Sequence, residues 1–152
     1  MQQQATRNPG GVTISYYDKE GGVRPELFSS VAQQIGEDLV KKTSKKLKGR
    51  GDVKISTTQI RRFFDDVKAI QRYLNQFHDQ ERENAFRRKL PEIMMMKAKV
   101  TYARGRDAVT DEFKNFIEKN IALIKSLKDF EVFCKFFEAV YGYFYYYSPE
   151  KS

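Results

Sequence analysis

One amphipathic segment, residues 56–77, constrains the fold of this chain more than any other. Ser56 and Gln59 form a capping-box pattern, in which side chains satisfy backbone amides that the start of a helix leaves unpaired. Apolar residues then recur at steps of three and four, the spacing of one helix face: Ile60, Phe63, Phe64, Val67, Ile70, Leu74 and Phe77. The pattern predicts a helix with a buried stripe.

The opposite side of this helix is cationic. Lys68 and Arg72 lie within about 20° of Arg61 around the helix axis, and Asp65 shares their face as a candidate partner. Asp66 is a second candidate partner for the basic residues. The helix therefore has a core side and a basic side, which is either a binding surface or a solvated face.

Four other segments repeat the helical spacing. They are residues 26–40, 92–104, 107–127 and 129–147. The sequence predicts an all-α fold, a single bundle of about five helices over residues 26–148. We expect residues 1–25 to be a flexible N-terminal extension with a brief ordered contact through Ile14, Tyr16 and Tyr17.

Single residues mark where these helices should begin, end or weaken. Asp107 and Asp129 are predicted N-caps, and Gly105 is a predicted C-cap. Residues 79–89 are predicted to form a mostly exposed helix, and Pro91 should start a fresh helix or kink this preceding one. Gly36 should weaken its helix by ~1 kcal/mol relative to alanine.

The charge is concentrated in the middle of the chain. Residues 41–106 hold nineteen basic and seven acidic residues, a net charge of +12, whereas the flanking parts are each −2. Within this region residues 41–54 contain seven basic residues and one acidic residue, and Gly49 and Gly51 predict a mobile loop that could close over a polyanion. The asymmetry is typical of a nucleic-acid binder, and the alternative is a solvated basic surface.

The side chains that most enzymes need are scarce. The sequence has one histidine, His78, and one cysteine, Cys134, so one chain cannot assemble a Cys/His zinc cluster or a histidine-rich metal centre. Cys134 lies on an apolar helix side, where an inert buried thiol is expected. The sequence therefore predicts a non-enzyme without metal or cofactor. It also predicts a soluble, cytoplasmic protein, because it shows no signal peptide and no apolar run that could span a membrane.

Three segments, in order, resemble the small subunit of the type III-A CRISPR effector, the Csm complex. Thr57–Phe64 reads Thr-Thr-Gln-Ile-Arg-Arg-Phe-Phe, similar to a family opening of Thr-Ser/Thr-x-Ile-Arg-Lys/Arg-Phe. The second segment is Leu90–Arg106, whose last ten residues, 97–106, resemble a family run of Lys-Pro-Lys-x-x-Tyr-x-x-x-Arg, with Ala98 in the place where members often have proline. Residues 133–143 resemble the family ending Phe-Cys-x-Phe-Phe-Glu-Ala-x-x-x-Tyr.

The resemblance implies a non-catalytic RNA-binding subunit in antiviral defence. Several copies would stack along guide RNA and target RNA, beside the backbone subunits and the large subunit of the complex. Catalysis in such complexes belongs to those other subunits. A subunit that accepts any guide cannot read bases, so it should contact phosphates through lysine and arginine.

The candidate phosphate contacts fall in three groups, with Arg61 as the strongest single choice. They are Arg61, Arg62, Lys68 and Arg72 on the first helix, Lys97, Lys99, Arg104 and Arg106 in the second matching segment, and Lys45, Lys46, Lys48 and Arg50 in the loop. Lys135 is a weaker candidate. Tyr102 is either a base-stacking side chain or, more in keeping with its helical position, a buried aromatic. The adjacent triplet Met94–Met96 is predicted to fill the core.

Two other readings stay open. The tyrosine-rich end, residues 141–147, and the wide apolar surface of the last helix suggest a protein-interaction or scaffold module without direct RNA contact. An enzyme whose site is shared between chains is a third class.

Overall fold

The computed structural model describes residues 13–149, which form five α-helices and one short β-hairpin. A 3₁₀ helix at Pro25–Phe28 precedes the first α-helix. The elements are α1 (Ser30–Lys41), β1 (Ser44–Lys45), β2 (Asp52–Val53), α2 (Thr57–Leu74), α3 (Asp79–Gly105), α4 (Asp111–Leu123) and α5 (Leu127–Tyr147). The predicted all-α bundle of about five helices is confirmed.

Helix α5 lies at the centre of the bundle. Helix α1 runs along it, α2 packs against both α5 and α3, and α3 packs against α4. The core between them is rich in phenylalanine: Phe116 lies 5.7 Å from Phe136 and 5.5 Å from Phe137 between ring centroids. Each buried phenylalanine side chain stabilises the fold by about 1.5–3 kcal/mol, so this aromatic cluster is a main source of stability.

Gly36 allows α1 and α5 to approach closely. A Cβ atom at this position would lie 2.7 Å from Tyr143 Cβ and 2.8 Å from the backbone nitrogen of Phe144. The sequence suggested only the weakening effect of this glycine on its own helix. Its larger role is tertiary, because any side chain here would push the two helices apart.

The segment before the first helix is part of the core. Ile14 and Tyr16 are completely buried, the Tyr16 hydroxyl donates to Asn120 Oδ1, and the Tyr17 hydroxyl donates to Asp129. Burial raises the pKa of Tyr16 well above its usual range. The ordered contact predicted through Ile14, Tyr16 and Tyr17 is therefore confirmed and extends the bundle back to residue 13, and residues 1–12 of the predicted extension lie outside the described part.

Two predicted helix starts are wrong by three residues. Thr110 caps α4 by accepting from the Phe113 amide, and Ser126 caps α5 by accepting from the Asp129 amide. Asp129 is instead buried inside the first turn, where it accepts from Tyr17 and from the Lys125 amide.

Helix α3 joins the two helical segments predicted before and after Pro91. It runs unbroken from Asp79 to Gly105, with Pro91 exposed inside it rather than at the start of a new helix. Of the methionine triplet only Met96 reaches the core, whereas Met94 is 42% and Met95 53% exposed. One side of this helix therefore presents apolar side chains to solvent.

Candidate nucleic-acid interface

The basic segment forms a β-hairpin. Ser44 pairs with Val53 and Lys45 pairs with Asp52 in an antiparallel ladder. Gly49 and Gly51 occupy the turn with φ of +113° and +100°, a region that glycine adopts without steric cost. The prediction of a mobile loop is thus corrected, because the segment has defined structure and defined attachment points.

The end of α3 provides the first attachment. Its last turn closes with two backbone hydrogen bonds, from the Asp107 amide to the Arg104 carbonyl (3.0 Å) and from the Ala108 amide to the Ala103 carbonyl (2.9 Å). This is a Schellman motif, in which one residue takes a left-handed conformation. That residue is Asp107, with φ of +61°, so the predicted cap at Gly105 is two residues early.

The Asp107 carboxylate holds the tip of the hairpin. It accepts from the Leu47 amide at 2.8 Å and from the Lys48 amide at 2.9 Å. The amide of Leu47, then that of Lys48 and the guanidinium of Arg104, lower the pKa of Asp107 below its usual range. A residue predicted to start a helix thus fixes the basic hairpin to the bundle.

Arg104 forms the second attachment. Its side chain is only 6% exposed, and it donates to Asp111 Oδ1 at 2.6 Å, to Asp107 Oδ1 at 3.1 Å and to the Lys45 carbonyl oxygen at 2.7 Å. The Asp111 amide donates to Ser44 Oγ at 2.7 Å, which ties the hairpin to the start of α4 as well. Arg104 is therefore a structural residue, and its burial removes it from the predicted phosphate contacts.

Because the hairpin is attached at these points, its basic side chains come together with Arg106, another predicted phosphate contact. Arg106 adjoins Asp107 in the chain, and Asp107 contacts the hairpin tip, so Arg106 lies beside the exposed basic side chains of the hairpin. We call this cluster the hairpin surface; its members are Lys45, Lys46, Lys48, Arg50 and Arg106.

Helices α2 and α3 extend this surface. They run antiparallel, with Arg88 Nε donating to the Tyr73 hydroxyl near one end and Lys99 Nζ 3.7 Å from Asp66 Oδ2 further along. Arg62 lies one turn before Asp66 on the same side of α2, which places it level with the last turn of α3. Lys99 and Arg62 therefore lie toward the end of this helix pair that carries Arg106, and the expected partner of Asp66 within α2 is replaced by Lys99.

The other predicted residues lie elsewhere. Arg61 Nε donates to the Tyr141 hydroxyl at 3.0 Å and Lys68 Nζ lies 3.4 Å from Glu138 Oε1, so both point towards α5. Arg72 is exposed on that same side of α2. Lys97 is exposed on the side of α3 away from Lys99. The twelve predicted residues thus do not form one continuous face.

Tyr102 lies next to the hairpin surface and is exposed. Its side chain is 68% exposed, and the guanidinium carbon of Arg106 lies 5.5 Å from the ring centroid. The expectation that it is buried is wrong. The weaker candidate, Lys135, is exposed on α5.

Sequence reasoning missed the residues that position this surface, namely Ser44, Asp107 and Asp111, and it misjudged Arg104. One signal was present: Ile93, Val100 and Arg104 follow one another at steps of seven and four, which puts an arginine on the buried stripe of α3. A cation at such a position requires buried acceptors.

The one cysteine and the one histidine of the sequence lie in different environments. Cys134 is buried, and burial raises the pKa of its thiol to about 12. His78 is exposed at the start of α3. Within residues 13–149, no three or more His, Cys, Asp or Glu side chains are grouped to hold a metal ion, and none of the helices there is both long and apolar enough to cross a membrane.

Comparison with known protein families identifies the family of this chain. The family model described as Csm2 Type III-A matches residues 26–150, which is most of the chain. No curated protein matches the chain, and no solved structure does. The match covers all five helices and the hairpin. The chain therefore belongs to the Csm2 Type III-A family, the small subunit of the type III-A CRISPR effector complex.

Proposed function

We propose that this subunit binds guide RNA and target RNA without catalysis, through sequence-independent phosphate contacts, in several stacked copies beside the backbone and large subunits. The observation that supports this most strongly is the attachment of the hairpin to the end of α3. Asp107 and Arg104 hold four exposed cations of the hairpin in a fixed position beside Arg106. The contacts with other copies and with the backbone and large subunits are part of this proposal, and membership of the Csm2 Type III-A family supports them.

The arrangement suits a polyanion for two physical reasons. Lysine and arginine that neutralise phosphates release condensed counterions, which favours binding regardless of base sequence. The backbone hydrogen bonds from Leu47 and Lys48 to Asp107 order the hairpin before RNA arrives. Binding then costs less conformational entropy than it would from an unattached loop.

A second surface favours a protein-interaction role in the same assembly. Tyr146 is 74% exposed, and a groove of about 480 Å³ lies between α1 and α5, lined by Gln33, Tyr143 and Tyr147 among others. Exposed tyrosines are enriched at protein interfaces. A scaffold module without direct RNA contact would use this groove and would not need the hairpin cations.

Two charge-matched variants test the phosphate-binding role. The first, Lys46→Ala/Lys48→Ala/Arg50→Ala, removes three cations from the hairpin. The second, Lys19→Ala/Lys125→Ala/Lys128→Ala, removes three from the other end of the bundle. That end is distant, because Glu131 of α5 pairs with Arg82 near the start of α3, and about 33 Å of helix separate Arg82 from Arg104 at 1.5 Å per residue.

Binding of a labelled single-stranded RNA is measured by fluorescence polarisation. We expect the hairpin variant to bind roughly tenfold or more weakly than the wild-type protein, and the control to bind nearly as well. Equal affinity of the hairpin variant and the wild-type protein contradicts the proposal. If that variant also binds RNA normally while Tyr146→Ala abolishes entry into the complex, the scaffold role is supported instead.

The predicted phosphate contacts Arg61 and Arg72 need a separate experiment, because they lie on the side of α2 that faces α5. Arg61→Glu and Arg72→Glu reverse the charge there. Loss of RNA binding with intact assembly would extend the RNA surface to α2. Loss of assembly with intact RNA binding would assign the α2–α5 side to partner subunits.

A further inference from the structure

Part of the exposed side of α3 is apolar, and the helix carries no acidic residue near its end. Met94, Met95, Ala98 and Tyr102 fall within an arc of about 100° around the helix axis, and all four are exposed. From residue 93 to residue 106 the helix and its cap hold four basic residues and no acidic one. An exposed aromatic and thioether strip inside a cationic segment is unusual for a solvated helix face.

We propose that this strip is a platform for unpaired nucleobases of single-stranded RNA, with Tyr102 as the stacking residue. The inference rests on the proposed function and adds the class of ligand, a strand whose bases are exposed. Phosphates would lie on Arg106 and Lys99 on the flank of the strip, and bases on Tyr102 and Met95.

The geometry around Tyr102 supports stacking. The Arg106 guanidinium lies over the ring at 5.5 Å, and the side chain nevertheless remains 68% exposed, so ring surface is open to a planar ligand. Aromatic side chains beside a basic groove are the usual means of holding single strands without reading their sequence. A cation beside the ring adds attraction for both the phosphate and the base.

The length of the strip matches a short run of nucleotides. Met95 and Tyr102 are seven residues apart, which is about 10.5 Å along a helix. That distance corresponds to about three stacked nucleotides at ~3.4 Å each. A perfect duplex keeps the faces of its bases covered, so the strip should favour single strands over duplexes.

An acidic protein surface is the other occupant that the charges would fit. It would complement the cations, but it would leave the exposed ring and thioethers without the planar partner that a nucleobase offers. We therefore assign the strip to RNA, and the test below includes protein docking as an outcome.

The test compares Tyr102→Ala, Tyr102→Phe and the control Tyr146→Ala, which removes another exposed tyrosine. Each is titrated with a labelled oligouridine and with a duplex RNA of the same length, after circular dichroism has shown native helix content. We expect Tyr102→Ala to lose roughly tenfold or more in affinity for oligouridine and to bind the duplex unchanged. Tyr102→Phe and Tyr146→Ala should resemble the wild-type protein.

The outcomes separate this inference from the proposed function. Unchanged oligouridine binding by Tyr102→Ala, or an equal loss on the duplex, overturns the platform while leaving phosphate binding through the hairpin intact. Loss of complex assembly with normal RNA binding overturns it in favour of a protein partner. Failure of the wild-type protein to bind either RNA overturns the proposed function itself.

Discussion

Arg104 Nη2 donates a 2.7 Å hydrogen bond to the carbonyl oxygen of Lys45, and this contact links the end of α3 to the first strand of the basic hairpin. The same guanidinium is held by Asp107 and Asp111, so one buried cation joins three chain segments. A run of glycine and lysine that would be poorly ordered alone thereby acquires a fixed position. The candidate RNA surface depends on this buried contact rather than on the exposed charges alone.

Replacing Arg104 by alanine should destabilise the protein. The side chain is almost fully buried and donates three hydrogen bonds, two of them to carboxylates, so we expect the free energy of unfolding to fall by about 2–3 kcal/mol. Urea denaturation measures the change. Arg106→Ala is the matched control; Arg106 is exposed, and its loss should change stability by no more than about 0.5 kcal/mol. Similar midpoints for the two variants would show that Arg104 does not anchor the hairpin.

Gly36→Ala and Gly142→Ala should have opposite effects on stability. A Cβ at Gly36 would clash with Tyr143 and the backbone of Phe144, so we expect a loss of about 1–3 kcal/mol. A Cβ at Gly142 in α5 meets nothing within 4 Å, so the better helix propensity of alanine should stabilise by up to about 1 kcal/mol. Thermal unfolding of both variants tests the pair, and stabilisation by Gly36→Ala would refute the close approach of α1 and α5.

Acid should release the hairpin tip. The pKa of Asp107 is lowered in the folded protein by the Leu47 amide first, with the Lys48 amide and Arg104 also contributing. A carboxyl group with a lowered folded pKa stabilises at every pH above its unfolded pKa, about 3.9, and loses that contribution as the pH falls through the folded value. Amide protection of Leu47 and Lys48, measured by NMR hydrogen exchange and corrected for intrinsic rates, should therefore decrease below about pH 4.

Asp107→Asn provides the control for this experiment, because asparagine keeps an acceptor oxygen and tolerates the left-handed conformation but does not titrate in this range. Its protection at these two amides should be independent of pH. Constant protection in the wild-type protein from pH 5 to pH 3 would contradict the assigned role of the carboxylate.

Cys134 should be inert in the folded protein. Burial raises the pKa of its thiol from 9.0 to about 12, which lowers the reactive thiolate fraction about a thousandfold near pH 8. We expect an aromatic disulfide reagent to label the native protein far more slowly than the protein in concentrated urea. Fast labelling of the native protein would mean that α5 opens or that the thiol is not buried.

The sequence predicted the helices well, but it predicted poorly which side chains hold distant segments together. The Ser56 cap and the apolar stripe of α2 are local features, and the structure shows both. Asp107 and Asp129 were misassigned because aspartate is a favoured N-cap residue, whereas here each carboxylate serves a distant partner, the hairpin in one case and Tyr17 in the other. A hydrogen bond to a residue that is distant in sequence does not change the local spacing of apolar residues, so the pattern does not reveal it.

The candidate site shows the same division. Composition identified the basic middle of the chain, and the lysines of the hairpin are indeed exposed. Composition could not show that Arg61 and Lys68 turn towards α5, because those directions depend on how α2 packs. Tyr102 was expected to be buried. The sequence of α3 alone does not show how much of the helix its neighbours leave exposed, because that depends on packing.

In the proposed function, fixed cations of the hairpin contact RNA phosphates, and the salt dependence of binding is the decisive test. The affinity of the wild-type protein and of Lys46→Ala/Lys48→Ala/Arg50→Ala for the same single-stranded RNA is measured between about 50 and 200 mM salt, a range over which phosphate contacts lose much of their strength. We predict a steep decrease for the wild-type protein and a slope in the logarithmic plot that is shallower by about 2 for the variant, since each lost contact on a single strand contributes ~0.7. Identical slopes for the two proteins would mean that these hairpin cations do not contact RNA phosphates.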